Sequence, residues 1–227
     1  MDGVLNLDKP AGISSAAAVG RVKRLLPRGT KIGHAGTLDP FATGLLLLLI
    51  GRATKLCESL MDQPKQYETT IKFGAMTATD DRDSPPLPTP GCREVSVDEI
   101  KRLLPGFVGE ISQRPPDFSA MKINGQRAYD LARRGNAVKL AARPVRIDSL
   151  EIVSYAWPLL QLRIDCGRGT YVRSLARDIG AQLGVGGYLT QLRRTRVGDF
   201  YITSAVPLST LTADVLNERL VSLPSIV

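Results

Sequence analysis

One imidazole, one carboxylate and three glycines fall together in Gly33-His34-Ala35-Gly36-Thr37-Leu38-Asp39-Pro40 and the Gly44 that follows, and His34 is the only histidine of the chain. An imidazole can exchange a proton near neutral pH, and a carboxylate can act as base or nucleophile. Glycines let the backbone bend sharply or let a ligand approach it closely. A Ser14–His34–Asp39 triad can be written, but nothing in the spacing orders those groups, and a lone aspartate nucleophile or base fits better. Asp39-Pro40 ahead of an apolar run is also how a helix starts, with aspartate as N-cap and proline as first helical residue. Spacing alone leaves the site and the helix start both open.

The surrounding elements must hold that turn. Val4 to Leu7 is read as a strand and Asp8 to Gly12 as a turn, which places Lys9 on a bend. Ser14 or Ser15 can cap a helix carrying Val19, Val22, Leu25 and Leu26 at helical spacing. Arg21, Lys23 and Arg24 then form a solvated basic face. The run Leu45 to Ile50 is too uniformly apolar for periodicity to choose between a buried helix and a buried strand. A helix is expected over 53–61. Alternation from Gln66 to Phe73 predicts a strand, with Tyr67 near its start on the face of Thr69, Ile71 and Phe73. Ser96 to Glu99 has capping-box order ahead of a helix ending at Pro105-Gly106, and Phe107 to Gln113 is read as a strand. Asp80 to Pro90, with three aspartates and four prolines, reads as a loop without the ligand spacing of a calcium site.

Charge then localises. The chain has 227 residues, 43% of them hydrophobic, and a net charge of +8, which suits one domain with an insertion and biases its partners toward polyanions. Between Arg114 and Arg146 lie eight basic residues, including Lys122, Arg127 and Arg133, against two acidic ones, with Phe118 and Tyr129 interleaved. Pro115-Pro116 and Asn124-Gly125 interrupt regular structure there, so the stretch is read as an insertion closing over nucleic acid. Leu160 to Cys166 alternates as a strand, runs into Gly167-Arg168-Gly169-Thr170 and opens a helix with Val172, Leu175, Ile179 and Leu183 inward. Arg173 sits in its first turn, where a cation is unfavourable without a compensating anion, so an aspartate or phosphate partner is expected. Arg193, Arg194 and Arg196 form a second basic cluster beside Leu192, and a last helix is read over 212–220.

Several classes lose their support. No Walker loop, dinucleotide fingerprint, zinc spacing or nucleophile elbow is present. Cys57, Cys92 and Cys166 are odd in number and far apart, so neither a disulfide framework nor a redox pair is indicated. No signal peptide or membrane span is read, and the expected setting is the cytoplasm.

Taken in order, Lys9-Pro10, Gly33 to Pro40, Lys65-Gln66-Tyr67, Pro115 to Lys122, Gly169-Thr170-Tyr171-Val172-Arg173-Ser174 and Leu189 to Arg194 resemble the motifs of TruB-type tRNA pseudouridine synthases over nearly the whole chain. The resemblance implies isomerisation of uridine 55 in the tRNA T-loop by base flipping, with no cofactor and no metal. It implies Asp39 as the attacking carboxylate, Tyr67 stacked on the target base and assisting proton removal at C5, and Arg173 paired with Asp39. His34 would occupy space near the flipped nucleotide, and Leu192 would line the pocket. Lys9, Lys122, Arg127, Arg133, Arg168 and Arg193 are the further RNA-binding candidates. The implied fold is α+β, a mixed and mainly antiparallel central sheet flanked by helices with the site in a cleft across it. A single catalytic domain over 1–227 is expected, with residues 114–146 as its RNA-gripping thumb and 186–227 completing it, and without a PUA domain. A monomer with no obligate protein partner is the expectation. Phe118, Arg168 and Tyr188 stand where the family usually has tyrosine, lysine and histidine. A non-catalytic RNA-folding protein and a glycosidase-like hydrolase are the other classes considered; the latter lacks a carboxylate pair in a shared motif.

Overall fold

The computed structural model describes residues 1–118, 122–123, 126–127 and 140–222. Its chain divides into two compact units, Met1–Glu68 with Leu192–Val227, and Thr69–Gln191.

The first unit is built on the apolar run that periodicity could not assign. It is strand β3 (Thr43–Ile50), and Leu45 through Ile50 are all at most 1% exposed, so both of its faces are covered. Strand β1 (Gly3–Lys9) runs antiparallel along the whole of one edge, from Gly3 opposite Ile50 to Lys9 opposite Gly44. The other edge is shared by β2 (Ile32–Ala35), antiparallel through His34 opposite Leu48, and by β12 (Gly187–Val197), parallel through Arg193 opposite Thr43. The short strands β13 (Phe200–Tyr201) and β14 (Val206–Pro207) extend β12 and β1. Helix α1 (Ser15–Lys23) is capped by Ser14, and α2 (Cys57–Asp62) follows a 3₁₀ segment. Val4, Ala35, Leu45, Leu47, Leu49, Ala53, Leu60 and Val197 form the core here. The expected turn at Asp8 and Lys9 is absent: hydrogen bonding to β3 keeps both residues in β1, and the chain bends only after Pro10.

The second unit carries Thr69–Phe73 of β4 (Lys65–Phe73), with β11 (Leu159–Cys166), β10 (Arg143–Ala156) and β7 (Gly109–Gln113) in sequence beside it. Both the β10/β11 and the β10/β7 pairings are antiparallel. Register shifts between Ile147 and Ser149 and between Ile152 and Ser154 disturb the alternation of β10, which is why no strand was legible there. Because β10 begins at Arg143 and pairs with β7, residues 143–146 belong to the sheet and not to the expected insertion. Short strands β5 (Ala75–Met76) and β6 (Leu87–Pro88) pair with each other, as do β8 (Lys122–Ile123) and β9 (Gln126–Arg127). Helix α3 (Val97–Leu103) has the Ser96–Glu99 capping box. Helix α4 (Val172–Gln182) buries Val172, Leu175 and Ile179, while Leu183 is only half-buried at its C-cap. Gly180 lets it touch the following turn: a Cβ there would lie 2.4 Å from the backbone of Gly186. Helix α5 (Ala213–Arg219), capped by Thr212, belongs to the first unit. The sheet is mixed and mainly antiparallel, so the class is α+β.

Candidate active site

In the first unit everything converges on the turn that carries Asp39. No helix starts there: after Asp39, the Ala42 N–H bonds the Asp39 carbonyl at 3.1 Å and the chain enters β3. The helix-start reading fails because β3 pairs on both edges, and a helix could not offer those ladders. The turn is fastened on either side of the aspartate. Before it, Ser15 Oγ accepts from the Leu38 N–H at 2.8 Å and donates to the Leu38 carbonyl at 3.0 Å. After it, the Pro40 carbonyl accepts from the Gly12 N–H at 2.8 Å and from Lys9 Nζ at 3.4 Å. Further back, Arg194 Nη2 donates to the Gly36 carbonyl at 3.1 Å and its Nε to the Leu45 carbonyl at 2.7 Å. Asp39 itself is half-buried, so a carboxylate on a fixed turn keeps a route to solvent.

Arg194 was legible only as one member of a basic cluster, yet it is 1% exposed and staples the two ends of the turn. Gly44 has φ +102 and passes so close to Arg194 that a Cβ would sit 2.3 Å from its carbonyl oxygen. Lys9 corrects a second expectation. It is fully buried, and its Nζ also donates to the carbonyls of Pro10 and Ile13 at 2.8 Å each, so it organises the turn and has no face for RNA. Burial pushes its ammonium down to about 8, with Asp39 opposing and Arg194 assisting that shift. His34 is half-buried on β2, its Nδ1 has no hydrogen-bond partner among the described residues, and burial and then Arg194 hold its pKa below the ordinary value. Ser14 Oγ accepts from the Ala17 N–H as a helix cap, which removes it from any triad. Tyr67 is half-buried on β4 beside Gln66, whose carbonyl and side chain both take a bond from Thr195 of β12. Leu192 is 7% exposed on β12. Its neighbour Arg193, expected at RNA, is tied to Asp8 by two bonds of 3.1 and 2.7 Å.

In the second unit the site residue is Arg173, 4% exposed in the first turn of α4. Within this unit its anion is Asp81, which the sequence did not single out: the carboxylate lies 3.4 Å away with a side chain 5% exposed. Arg173 also donates to the carbonyls of Thr79 and Phe118, at 3.0 Å each. Asp81 in turn accepts from Thr79 Oγ1 at 2.6 Å and from the Asp83 N–H at 2.9 Å. This loop looked functionless in the sequence because prolines and aspartates signal a turn whatever they face. The unsatisfied cation demanded at the head of α4 was the signal that could have found Asp81. The start of α4 is further clasped by Gln113, whose side chain accepts from the Tyr171 N–H and donates to the Tyr171 carbonyl. Arg143 lies 5.3 Å from the centre of the Tyr171 ring and donates to the Gly169 carbonyl. Arg168 is exposed on the turn before α4. Lys122 and Arg127 pair through their backbones in β8 and β9, and Arg133 lies outside the described residues. Among the described residues, no three His, Cys, Asp or Glu side chains cluster to hold a metal ion, and no helix is long and apolar enough to cross a membrane.

Comparison with known proteins gives the same answer from two directions. Residues 23–172 match the family described as TruB family pseudouridylate synthase (N terminal domain), and residues 173–223 match the tRNA pseudouridylate synthase B C-terminal domain. The chain is 48% identical over 213 residues to a tRNA pseudouridine synthase B of Aromatoleum aromaticum, covering 94% of this chain and 68% of that one. Against the same enzyme of Burkholderia mallei it is 48% identical over 221 residues, covering 96% and 72%. Among solved structures it is similar to a chain of a Cbf5-Nop10-Gar1 complex, with a TM-score of 0.72, 31% identity and 93% of this chain covered. A chain of an H/ACA RNP bound to a substrate RNA containing 2'-deoxyuridine matches with a TM-score of 0.69, 28% identity and 95% covered. The chain spans about half the length of those solved chains, 54% and 55%.

Proposed function

The chain belongs to the TruB family of pseudouridylate synthases, and from that premise we propose that it isomerises uridine to pseudouridine at position 55 in the T-loop of tRNA, with Asp39 attacking the everted nucleoside. It is an isomerase. The N1–C1′ bond breaks, the base turns, and a C5–C1′ bond forms while C5 loses a proton and N1 gains one; the bond that Asp39 makes to the nucleoside breaks again, which returns the free carboxylate. Atoms and electrons therefore balance within the nucleotide.

The observation that carries the reading is the half-buried Asp39 on a turn held by Ser15 before it and by Gly12 and Lys9 after it. A nucleophile fixed in advance loses little freedom on reaching the transition state, which is where positioning contributes most. Lys9 sets a buried ammonium that interacts with the Asp39 charge. In this reading Tyr67 stacks on the everted base and assists removal of the C5 proton, Leu192 lines the base pocket, and Arg173 is a further catalytic residue. Eversion costs a few kcal/mol of unstacking, which an aromatic surface and a basic grip must offset. Lys122, Arg127, Arg133 and Arg168 supply phosphate contacts. The protein works as a monomer in the cytoplasm, with tRNA as its partner.

The test is incubation with an unmodified tRNA transcript. Mass-silent conversion of uridine 55 is expected. Release of free uracil would instead mark a hydrolase, and binding without change would mark an RNA-folding protein.

A further inference from the structure

One side chain of the second unit is fully engaged and has no part in the proposed chemistry. Arg177 lies one turn after Arg173 on α4. Its Nε donates to Asp178 at 2.9 Å, its Nη1 to Asp80 at 2.9 Å and its Nη2 to the Arg114 carbonyl at 2.8 Å. The same Arg114 carbonyl accepts from Ser174 Oγ at 2.8 Å. Four residues along, the Phe118 carbonyl accepts from Arg173. Helical spacing of four puts Arg173 and Arg177 on one face, so two adjacent turns of α4 hold the two ends of the 114–118 stretch.

The acidic partner is itself fixed. Asp80 is the only non-glycine residue with positive φ among the described residues, at +59, and its carbonyl accepts from the Leu189 N–H at 3.1 Å. Its side chain is 13% exposed and that of Arg177 is 23% exposed, so their ion pair is shielded from most of the solvent. A planar guanidinium can serve an acid and a carbonyl at once in fixed directions, whereas an ammonium is a point charge without that fork.

We propose that Arg177, held by Asp80, is a positioning residue for RNA engagement: it pins Arg114, at the start of the 114–118 stretch, against α4 and so sets where Phe118 meets Arg173 one turn earlier on the same helix. This rests on the RNA-modifying reading above.

Arg177→Lys keeps the charge opposite Asp80 and drops the fork, and Asp80→Asn keeps the volume and drops the charge. Both are compared with wild type by steady-state conversion of a tRNA transcript, by single-turnover conversion at saturating protein, and by amide hydrogen exchange of the free protein. Loss of one charge-assisted bond corresponds to about a tenfold effect. Arg177→Lys is expected to speed exchange in the peptide Gly109–Phe118 and to raise KM for tRNA, each by about that factor. The saturated single-turnover rate should stay within about twofold, and exchange in α1 should not change. Asp80→Asn should move the same quantities in the same direction. Unchanged exchange in Gly109–Phe118 overturns the anchor. Faster exchange at unchanged KM overturns the positioning role. If wild type converts no uridine, the functional reading fails, and the exchange experiment still decides the anchor.

Discussion

Asp81 and Arg173 form an ion pair 3.4 Å apart with side chains 5% and 4% exposed, so the head of α4 carries a cation that the protein neutralises from a loop more than ninety residues earlier. Breaking one side of a buried pair leaves the other charge stranded, at a cost of about 3–5 kcal/mol. Asp81→Asn should lower stability by that order, read from urea midpoints. The double variant Asp81→Leu/Arg173→Met should regain part of the loss and remain inactive on tRNA. Full stability in Asp81→Asn would show that the carbonyls of Thr79 and Phe118 suffice for Arg173.

Asp39→Asn is nearly isosteric, so the turn held by Ser15, Gly12 and Lys9 should persist. Conversion of uridine 55 should fall by more than about a thousandfold while tRNA binding changes little, measured by single-turnover assay and filter binding. Residual conversion close to wild type would remove the carboxylate from the chemistry.

Gly44 and Gly12 separate close approach from backbone strain. Both have positive φ, +102 and +84, but a Cβ at Gly44 meets the Arg194 backbone at 2.3 Å, and one at Gly12 meets nothing within 4 Å among the described residues. Gly44→Ala should cost more than about 3 kcal/mol and Gly12→Ala about 1 kcal/mol, by thermal or urea unfolding. Equal losses would mean that strain alone sets the requirement at Gly44.

Asp80 couples stability to pH. Burial pushes its carboxyl up to about 6 from an ordinary 3.8, against the pull of Arg177 and Arg173 from α4 and with Asp178 raising it further. Asp81 is its chain neighbour. The unfolded chain then releases this proton first, so Asp80 lowers stability as pH rises from about 4 to about 6 and adds no slope above that. The drop is at most about 3 kcal/mol. Asp80→Asn should flatten the curve between about pH 4 and about pH 6, as read from urea midpoints taken about every half unit. A slope identical to wild type would assign the titration to another group.

Neutralising Lys122, Arg127 and Arg133 together should weaken tRNA binding and reduce the slope of log affinity against log salt by up to about 3, while single-turnover conversion at saturation is largely kept. A wild-type slope in the triple variant would take this segment out of the interface.

The sequence by itself determined the elements whose cues are local. The capping box at Ser96, a cap at Ser14 or Ser15, and the alternation of β4 and β11 need only neighbours within a few residues. So does the demand for an anion at the head of α4, because a helix dipole is set by its own backbone. The ordered motifs that identified the family were legible too, but the stretch with Asp39 read equally as a turn and as a helix start. Tertiary structure decided what depends on partners far away in the chain. Leu45 to Ile50 became a strand because β1 claims one edge, and β2 and β12 claim the other. Lys9 went inward because the carbonyls of Pro10, Ile13 and Pro40 gather around its ammonium. Arg194 left a basic cluster to staple Gly36 to Leu45, and the aspartates at 80 and 81 acquired a purpose only once α4 lay against them. In each of these cases the deciding energy is a hydrogen bond or ion pair made out of water between residues distant in sequence, which no local pattern encodes.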